Sequence, residues 1–247
     1  MKIGEIVIDS LRYPFSDWKK ILILGFILLM VVILSESAIN SSTKIFALIL
    51  VIFSFLIELL GRGYYFRIIK TSLVDMAILP NFDSWIEMFL DGIKVYLVTI
   101  VYLIPLILLA SFFPDPFKIL GLSPIAIFAN NSEYIIFGAS GLKIWFFIAI
   151  CFSLIIFPIY YMVIANMAKN NSKFTTAFQI RKIFNIIVNV GLKNLITFYI
   201  AILLPFSIII MLTIHINSIE YVLLLLTLFP YLDMYLYRLI ALFYKSD

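Results

Sequence analysis

Asp83, Glu87 and Asp91 recur at every fourth residue, a spacing that lays three carboxylates along one stripe of a helix. Oxygen donors so arranged suit a hard divalent cation, yet the same pattern is ordinary for a solvated helical face. The solvated face is the favoured reading, and neither a metal nor another cofactor is expected. Five further ionisable residues, Glu58, Arg62, Arg67, Asp233 and Arg238, fall within or against long apolar runs. A charge in hydrocarbon is costly unless it is paired or faces a polar cavity, so these are the candidate site residues. Glu58 and Arg62 stand four apart with the acid first, the favourable order for a helical ion pair. Gly61 and Gly63 flank the arginine. A structural pair near the cytoplasmic interface is preferred there over a gate or substrate contact. Asp233 and Arg238 are poor partners for each other, because five residues correspond to about 140° around a regular helix. Arg238 can extend to the headgroups. Asp233 is shorter and needs a partner on another helix, with Arg67 or Arg62 the first expectation.

Other chemistries lack their residues. There is one cysteine, Cys151, and one histidine, His215; the first reads as a small apolar packing residue and the second as a ring at the membrane interface. No phosphate-cradling glycine motif and no nucleophile elbow is present. A noncatalytic protein is expected, and no catalytic residue is assigned.

The elements that hold these residues are apolar helices. Hydrophobic residues make up 64% of the 247 and charged residues only 13%, against about 25% charged in average globular chains. Crossing a hydrocarbon layer of about 30 Å takes about 20 mostly apolar helical residues, and lipid admits only helices or closed barrels. Six runs qualify, giving spans at 18–37, 43–61, 95–113, 144–167, 195–216 and 221–240 within one integral membrane domain, 1–247. The first run is short, and a signal peptide is its weaker competing reading, because Glu36 stands where cleavage after Ala38 would require a small residue. The predicted fold class is an all-α, polytopic transmembrane bundle.

Charge orients the bundle. Fifteen of the 18 lysines and arginines lie on one side of the spans, leaving Lys44, Lys118 and Lys143 on the other. The positive-inside rule places both termini and the two long basic connections in the cytoplasm, hence a multi-pass protein of the cell membrane. No basic patch interleaved with aromatics suggests nucleic acid. Asn40 and Asn130 begin acceptor triplets for N-glycosylation on the predicted exterior.

Three amphipathic stretches, 2–13, 83–92 and 173–190, read as helices lying on the cytoplasmic membrane surface. Ser84 and Glu87 form a capping-box pattern at the start of the second. Gly92 and Gly191 are read as breaks before the following spans. Each central unit then runs span, surface helix, glycine, lysine, span, which suggests a parallel internal repeat and a pseudo-threefold bundle. Pro105, Pro158, Pro205 and Pro230 predict bends within or near spans.

The segments Leu11-Arg12-Tyr13-Pro14-Phe15, Gly63-Tyr64-Tyr65-Phe66-Arg67 and Leu79-Pro80-Asn81-Phe82-Asp83-Ser84-Trp85 through Lys94 carry a resemblance. So do the residues Tyr161, Ala165, Asn166, Ala177 and Phe178 and the ending from Pro230 to Tyr244. Together they resemble an archaeal polytopic membrane family known as domain of unknown function 4013. The resemblance covers nearly the whole chain. It implies a membrane protein with no assigned activity or cofactor and supplies no catalytic residues.

Three functions fit these features. A scaffold or accessory subunit, meeting the lipid bilayer and a membrane protein partner or a second copy, suits the surface helices and the missing chemistry. A transporter of a small molecule, lipid or ion would use the proline-bent spans and Asp233. A lipid-directed enzyme would need Asp83, Glu87, Asp91 or Glu58 to converge on one cavity.

Overall fold

The computed structural model describes residues 3–111, 139–213 and 218–246, and every regular element among them is helical. The helices are α1 (Ile3–Arg12), α2 (Trp18–Ile39), α3 (Lys44–Leu73), α4 (Trp85–Ser111), α5 (Ala139–Lys169), α6 (Ile180–Val190), α7 (Leu192–Thr213), α8 (Ser218–Leu226) and α9 (Leu228–Lys245). Short 3-10 turns occupy Tyr13–Ser16 and Phe174–Phe178. Asn130, His215 and most of the outer connection expected over 114–143 lie outside the described residues.

Among the described residues four stretches are long and apolar enough to cross a membrane: Trp18–Ile39, Lys44–Leu73, Trp85–Pro105 and Ile219–Lys245. A fifth is counted if Ile180–Val190 and Lys193–Ile209, bent by 95° at their junction, form one broken span. Asp17 starts α2 by accepting the Lys19 N–H at 3.1 Å, which satisfies one of the orphan donors at a helix N-terminus. At 30 residues, α3 is about 45 Å long. That exceeds the hydrocarbon thickness, so its C-terminal third carries Arg67 and Lys70 beyond the apolar run.

Small residues let the helices approach. Gly25 of α2 lies against α8, where an added Cβ would stand 2.2 Å from the Leu226 carbonyl oxygen. Ser35 of α2 and Ser54 of α3 share a 2.8 Å hydroxyl contact, and Ser54 also donates to the Val31 carbonyl at 3.2 Å. Within an apolar layer such contacts replace the hydrophobic drive that water would supply. Outward, α3 presents Ile45, Phe46, Ile49, Ile52, Phe53 and Leu56, all exposed. An apolar face this continuous is what lipid-facing helices carry.

The core is richest at the end of the bundle where α9 finishes. From Tyr235 to Tyr244 α9 is almost wholly buried, packed with Met162 to Ala168 of α5, Phe66 and Ile69 of α3, Ile183 and Ile186 of α6, and Ile6 of α1. A second cluster joins Leu24, Tyr64, Ile68, Met88 and Met234.

Several expectations need correction. The stretch 83–92 is not a separate surface helix, because α4 runs unbroken from Trp85 to Ser111 with Gly92 inside it. Ser84 precedes that helix with φ +50°, not the extended backbone usual at a capping residue. Gly191, by contrast, takes φ +80°, a conformation glycine adopts without steric penalty, and sits at the 95° bend. The two central connections therefore differ in backbone, and the correspondence between them does not extend to their glycines. Pro230 is the third residue of α9, where its missing N–H costs no hydrogen bond. A helix start, not a mid-span kink, is its role.

Candidate functional site

The site is organised by the crossing of α3 and α4. A Cβ on Gly63 would stand 1.8 Å from the Met88 carbonyl oxygen, and one on Gly92 would stand 2.0 Å from that of Leu59. The two backbones therefore touch, and this contact sets which side chains meet beyond it. Arg67 Nη1 donates to Asp83 Oδ1 at 2.5 Å and to the Asn81 and Asp83 carbonyls at 3.0 and 2.7 Å. Lys70 Nζ donates to Asp91 Oδ2 at 2.7 Å and lies 3.6 Å from Glu87 Oε1. Lys94 Nζ reaches Asp91 Oδ1 at 3.3 Å, and Ser172 Oγ donates to Oδ2 at 3.3 Å.

The acidic stripe is thus a solvated face over its first two members and not at its third. Asp83 and Glu87 remain largely exposed, but the Asp91 side chain is only 7% exposed and held by two lysines. All three acids pair with cations of α3, an element the local sequence pattern does not reveal. The left-handed turn at Asn171 and Ser172 brings the serine hydroxyl in from the end of α5. Among the described residues no three acidic, histidine or cysteine side chains are grouped to hold a metal ion.

Glu58 and Arg62 do pair, with Glu58 Oε1 accepting from Nε at 2.8 Å and from Nη2 at 2.5 Å. The guanidinium lies 5.5 Å from the Tyr96 ring centre. Asp233 does not pair with an arginine. Its Oδ2 accepts the Tyr65 hydroxyl at 2.5 Å, and the Tyr65 ring stacks on Tyr237 with centres 4.7 Å apart. The helix geometry explains the correction: Arg67, two residues beyond Tyr65, is about 160° away around α3, while Arg62 is occupied by Glu58.

Arg238 does not reach for headgroups either. Its side chain is 5% exposed. Nε donates to Asp9 Oδ2 at 2.9 Å, Nη1 donates to the Met76 carbonyl at 2.7 Å, and the guanidinium lies 4.7 Å from the Tyr13 ring centre. This follows from α1 folding back over α9 with Ile6 and Ser10 buried. Burial pushes the Tyr13 phenol above its ordinary pKa, opposed by the Arg238 charge. Lysine cannot reproduce two directed bonds together with a planar stack. Arg238→Lys and Arg238→Gln should therefore both lower stability, by about 2 kcal/mol, in thermal unfolding in detergent.

Past α3, Asp75 pairs with Lys245 at the end of α9. The hydrogen bond and charge of Lys245 hold the Asp75 carboxyl below its ordinary value. A depressed acid stabilises the fold above its unfolded pKa, and that contribution disappears as the pH falls through the folded value. The pair is exposed, so its contribution is small.

Asn166 is a further polar centre that a scan of ionisable residues passes over. It is fully buried in α5. Nδ2 donates to the Thr176 carbonyl at 2.7 Å, Oδ1 accepts the Tyr244 hydroxyl at 2.9 Å, and its carbonyl accepts Asn170 Nδ2 at 2.7 Å. The available signal was an amide near the end of an apolar run, where such groups hold helices together. Asn166→Leu removes its bonds to the Thr176 carbonyl and the Tyr244 hydroxyl. A loss of about 2 kcal/mol is expected, measurable as a lower unfolding temperature.

The architecture is that of an all-α protein with several membrane-length apolar helices. The chain belongs to the family described as protein of unknown function (DUF4013), whose model matches residues 45–218. The matched stretch holds Glu58, Arg62, Arg67 and Asn166, and excludes Asp233, Arg238 and the resemblance noted before residue 45. No curated protein and no solved structure matches the chain.

Proposed function

We propose that this is a noncatalytic scaffold or accessory subunit of the cell membrane, crossing it six times with both termini in the cytoplasm. The observation that supports this reading is that the candidate charges of the apolar helices are engaged within the chain. Glu58 is held by Arg62, Asp233 by Tyr65, and Arg238 by Asp9. Polar groups used this way fix helix positions and leave the outer apolar faces for lipid and for a membrane partner, either another protein or a second copy. No nucleic-acid partner is proposed.

A transporter is the second reading, favoured by one feature. Asp233 is a half-buried acid whose carboxylate accepts the Tyr65 hydroxyl, and intramembrane acids serve proton and ion pathways in many carriers. A lipid-directed enzyme is the weakest, because the acids it would gather are each engaged by a cation of α3.

Crosslinking in native membranes, followed by purification, tests the first reading. A partner or second copy at fixed stoichiometry is expected, with crosslinks on the outward faces of α2 and α3. Proteoliposomes test the second reading: proton or ion flux that Asp233→Asn abolishes would replace the scaffold with a carrier. On the structural account Asp233→Asn keeps an acceptor for Tyr65 and costs little. Tyr65→Phe removes the donor and should cost about 2 kcal/mol.

A further inference from the structure

A cavity of about 620 Å³ opens where α3, α5, α6 and α9 end or begin, lined by Leu73, Lys169, Lys182, Asn185, Asn189 and Tyr244 together with Ile186 and Lys245. Its polar wall is made of ammonium groups, carboxamides and a phenol, with no carboxylate. Part of this charge has a local explanation, since Lys245 is paired with Asp75 and Lys169 stands in the last turn of α5, where a cation complements the helix dipole. Lys182 has no such role. It stands in the first turn of α6, where a cation opposes the dipole, and a compensating anion would be favoured there.

The rest of α6 says at what depth the cavity lies. The helix has three faces. Ile183, Ile186 and Val190 are buried against the bundle. Ile180, Phe184 and Val188 are exposed at 64%, 59% and 59% on a second stripe, and Lys182, Asn185 and Asn189 form the third, which lines the cavity. At about 100° per residue the apolar and polar stripes are centred roughly 130° apart. A helix exposing large apolar residues on one side and amide and ammonium donors on the other lies at the boundary of hydrocarbon and headgroups. The 95° bend at Gly191 turns α6 away from α7 there.

We infer that the cavity formed by Lys169, Lys182, Asn185 and Asn189 binds the phosphate-bearing headgroup of an anionic lipid. The lysines neutralise the phosphate, the carboxamides donate to its oxygens or to headgroup hydroxyls, and the acyl chains run down past Ile180, Phe184 and Val188. Basic pockets between membrane helices on the cytoplasmic side recognise acidic headgroups by this chemistry. The inference rests on the multi-pass reading above but is independent of whether the protein is a scaffold or a carrier.

The test uses the full chain reconstituted in nanodiscs of phosphatidylcholine containing a minor fraction of fluorescent phosphatidylglycerol, with native mass spectrometry of lipids retained after detergent release. The wild type should retain phosphatidylglycerol over phosphatidylcholine. Lys169→Gln combined with Lys182→Gln should weaken that retention on the order of tenfold. Lys19→Gln combined with Lys44→Gln removes the same charge far from the cavity and should leave it unchanged. Equal losses from both pairs, or a wild type without preference, would overturn the site, and the second readout needs no variant to fold. Displacement of phosphatidylglycerol by inorganic phosphate at equal concentration would also overturn it, marking a soluble anion as the ligand. A chain that does not enter nanodiscs at all would refute the membrane reading instead, so the two failures are distinguishable.

Discussion

Gly63→Ala is expected to cost about 3 kcal/mol or more, whereas Gly61→Ala, two residues away on the same helix, should be close to neutral. At Gly63 the new methyl group would lie 1.8 Å from the Met88 carbonyl oxygen, but at Gly61 its nearest neighbour is the Ile27 side chain at 3.7 Å, an ordinary contact. Backbone atoms cannot step aside as a flexible side chain does, so α3 and α4 would have to separate. Arg67 and Lys70 would then move away from Asp83 and Asp91, and the loss would spread beyond the crossing. Gly92→Ala should behave like Gly63→Ala, because it pushes on the same contact from α4 with an oxygen 2.0 Å away. Thermal unfolding and the folded fraction on size exclusion in detergent would measure the contrast. Equal tolerance at positions 61 and 63 would mean that the helices do not cross there.

The second large effect is expected at Asp91. Asp91→Leu leaves Lys70 and Lys94 facing each other without the carboxylate that joins them, and leaves Ser172 without its acceptor. Removing one partner of a fully buried pair costs about 3–5 kcal/mol. Both lysine side chains keep access to water, at 26% and 37% exposure, so a loss of about 2 kcal/mol is expected. Asp91→Asn retains an acceptor for Ser172 and should lose less. Adding Lys70→Met to Asp91→Leu should restore part of the stability, since the double change removes the charge together with its partner. A double variant no better than the single one would show that the pair is not the source of the loss.

Four membrane-length helical stretches were legible in the sequence because each is long and apolar, although their bounds were not, since α3 runs on to Leu73 and α4 starts at Trp85. The Glu58 and Arg62 pair was legible too, since both residues lie on one helix and their spacing alone fixes the contact. What escaped was whatever depends on two elements meeting. The stripe of Asp83, Glu87 and Asp91 reads as a water-facing surface, which holds for its first two members, but Asp91 is buried once α3 is placed against it. Gly92 looks like a break until its missing side chain is seen to admit the Leu59 carbonyl. Asp233 was matched by charge to an arginine, but the group across from it is a phenol, and tyrosines are too common in this chain for a pattern to single one out. Arg238 has the length to reach the interface and is prevented by α1, whose position over α9 no local pattern encodes. Asn166 was passed over because an amide carries no charge to attract notice, although its buried position demands several hydrogen bonds.

The central claim is the threading of the chain through the bilayer. Single cysteines placed at Ser42 and Ser246 in a Cys151→Ala background, labelled in intact cells with a membrane-impermeant maleimide, test it most directly. The account predicts labelling at position 42 and none at 246 until the cells are opened. Labelling of position 246 in intact cells, or protection of position 42, would contradict it.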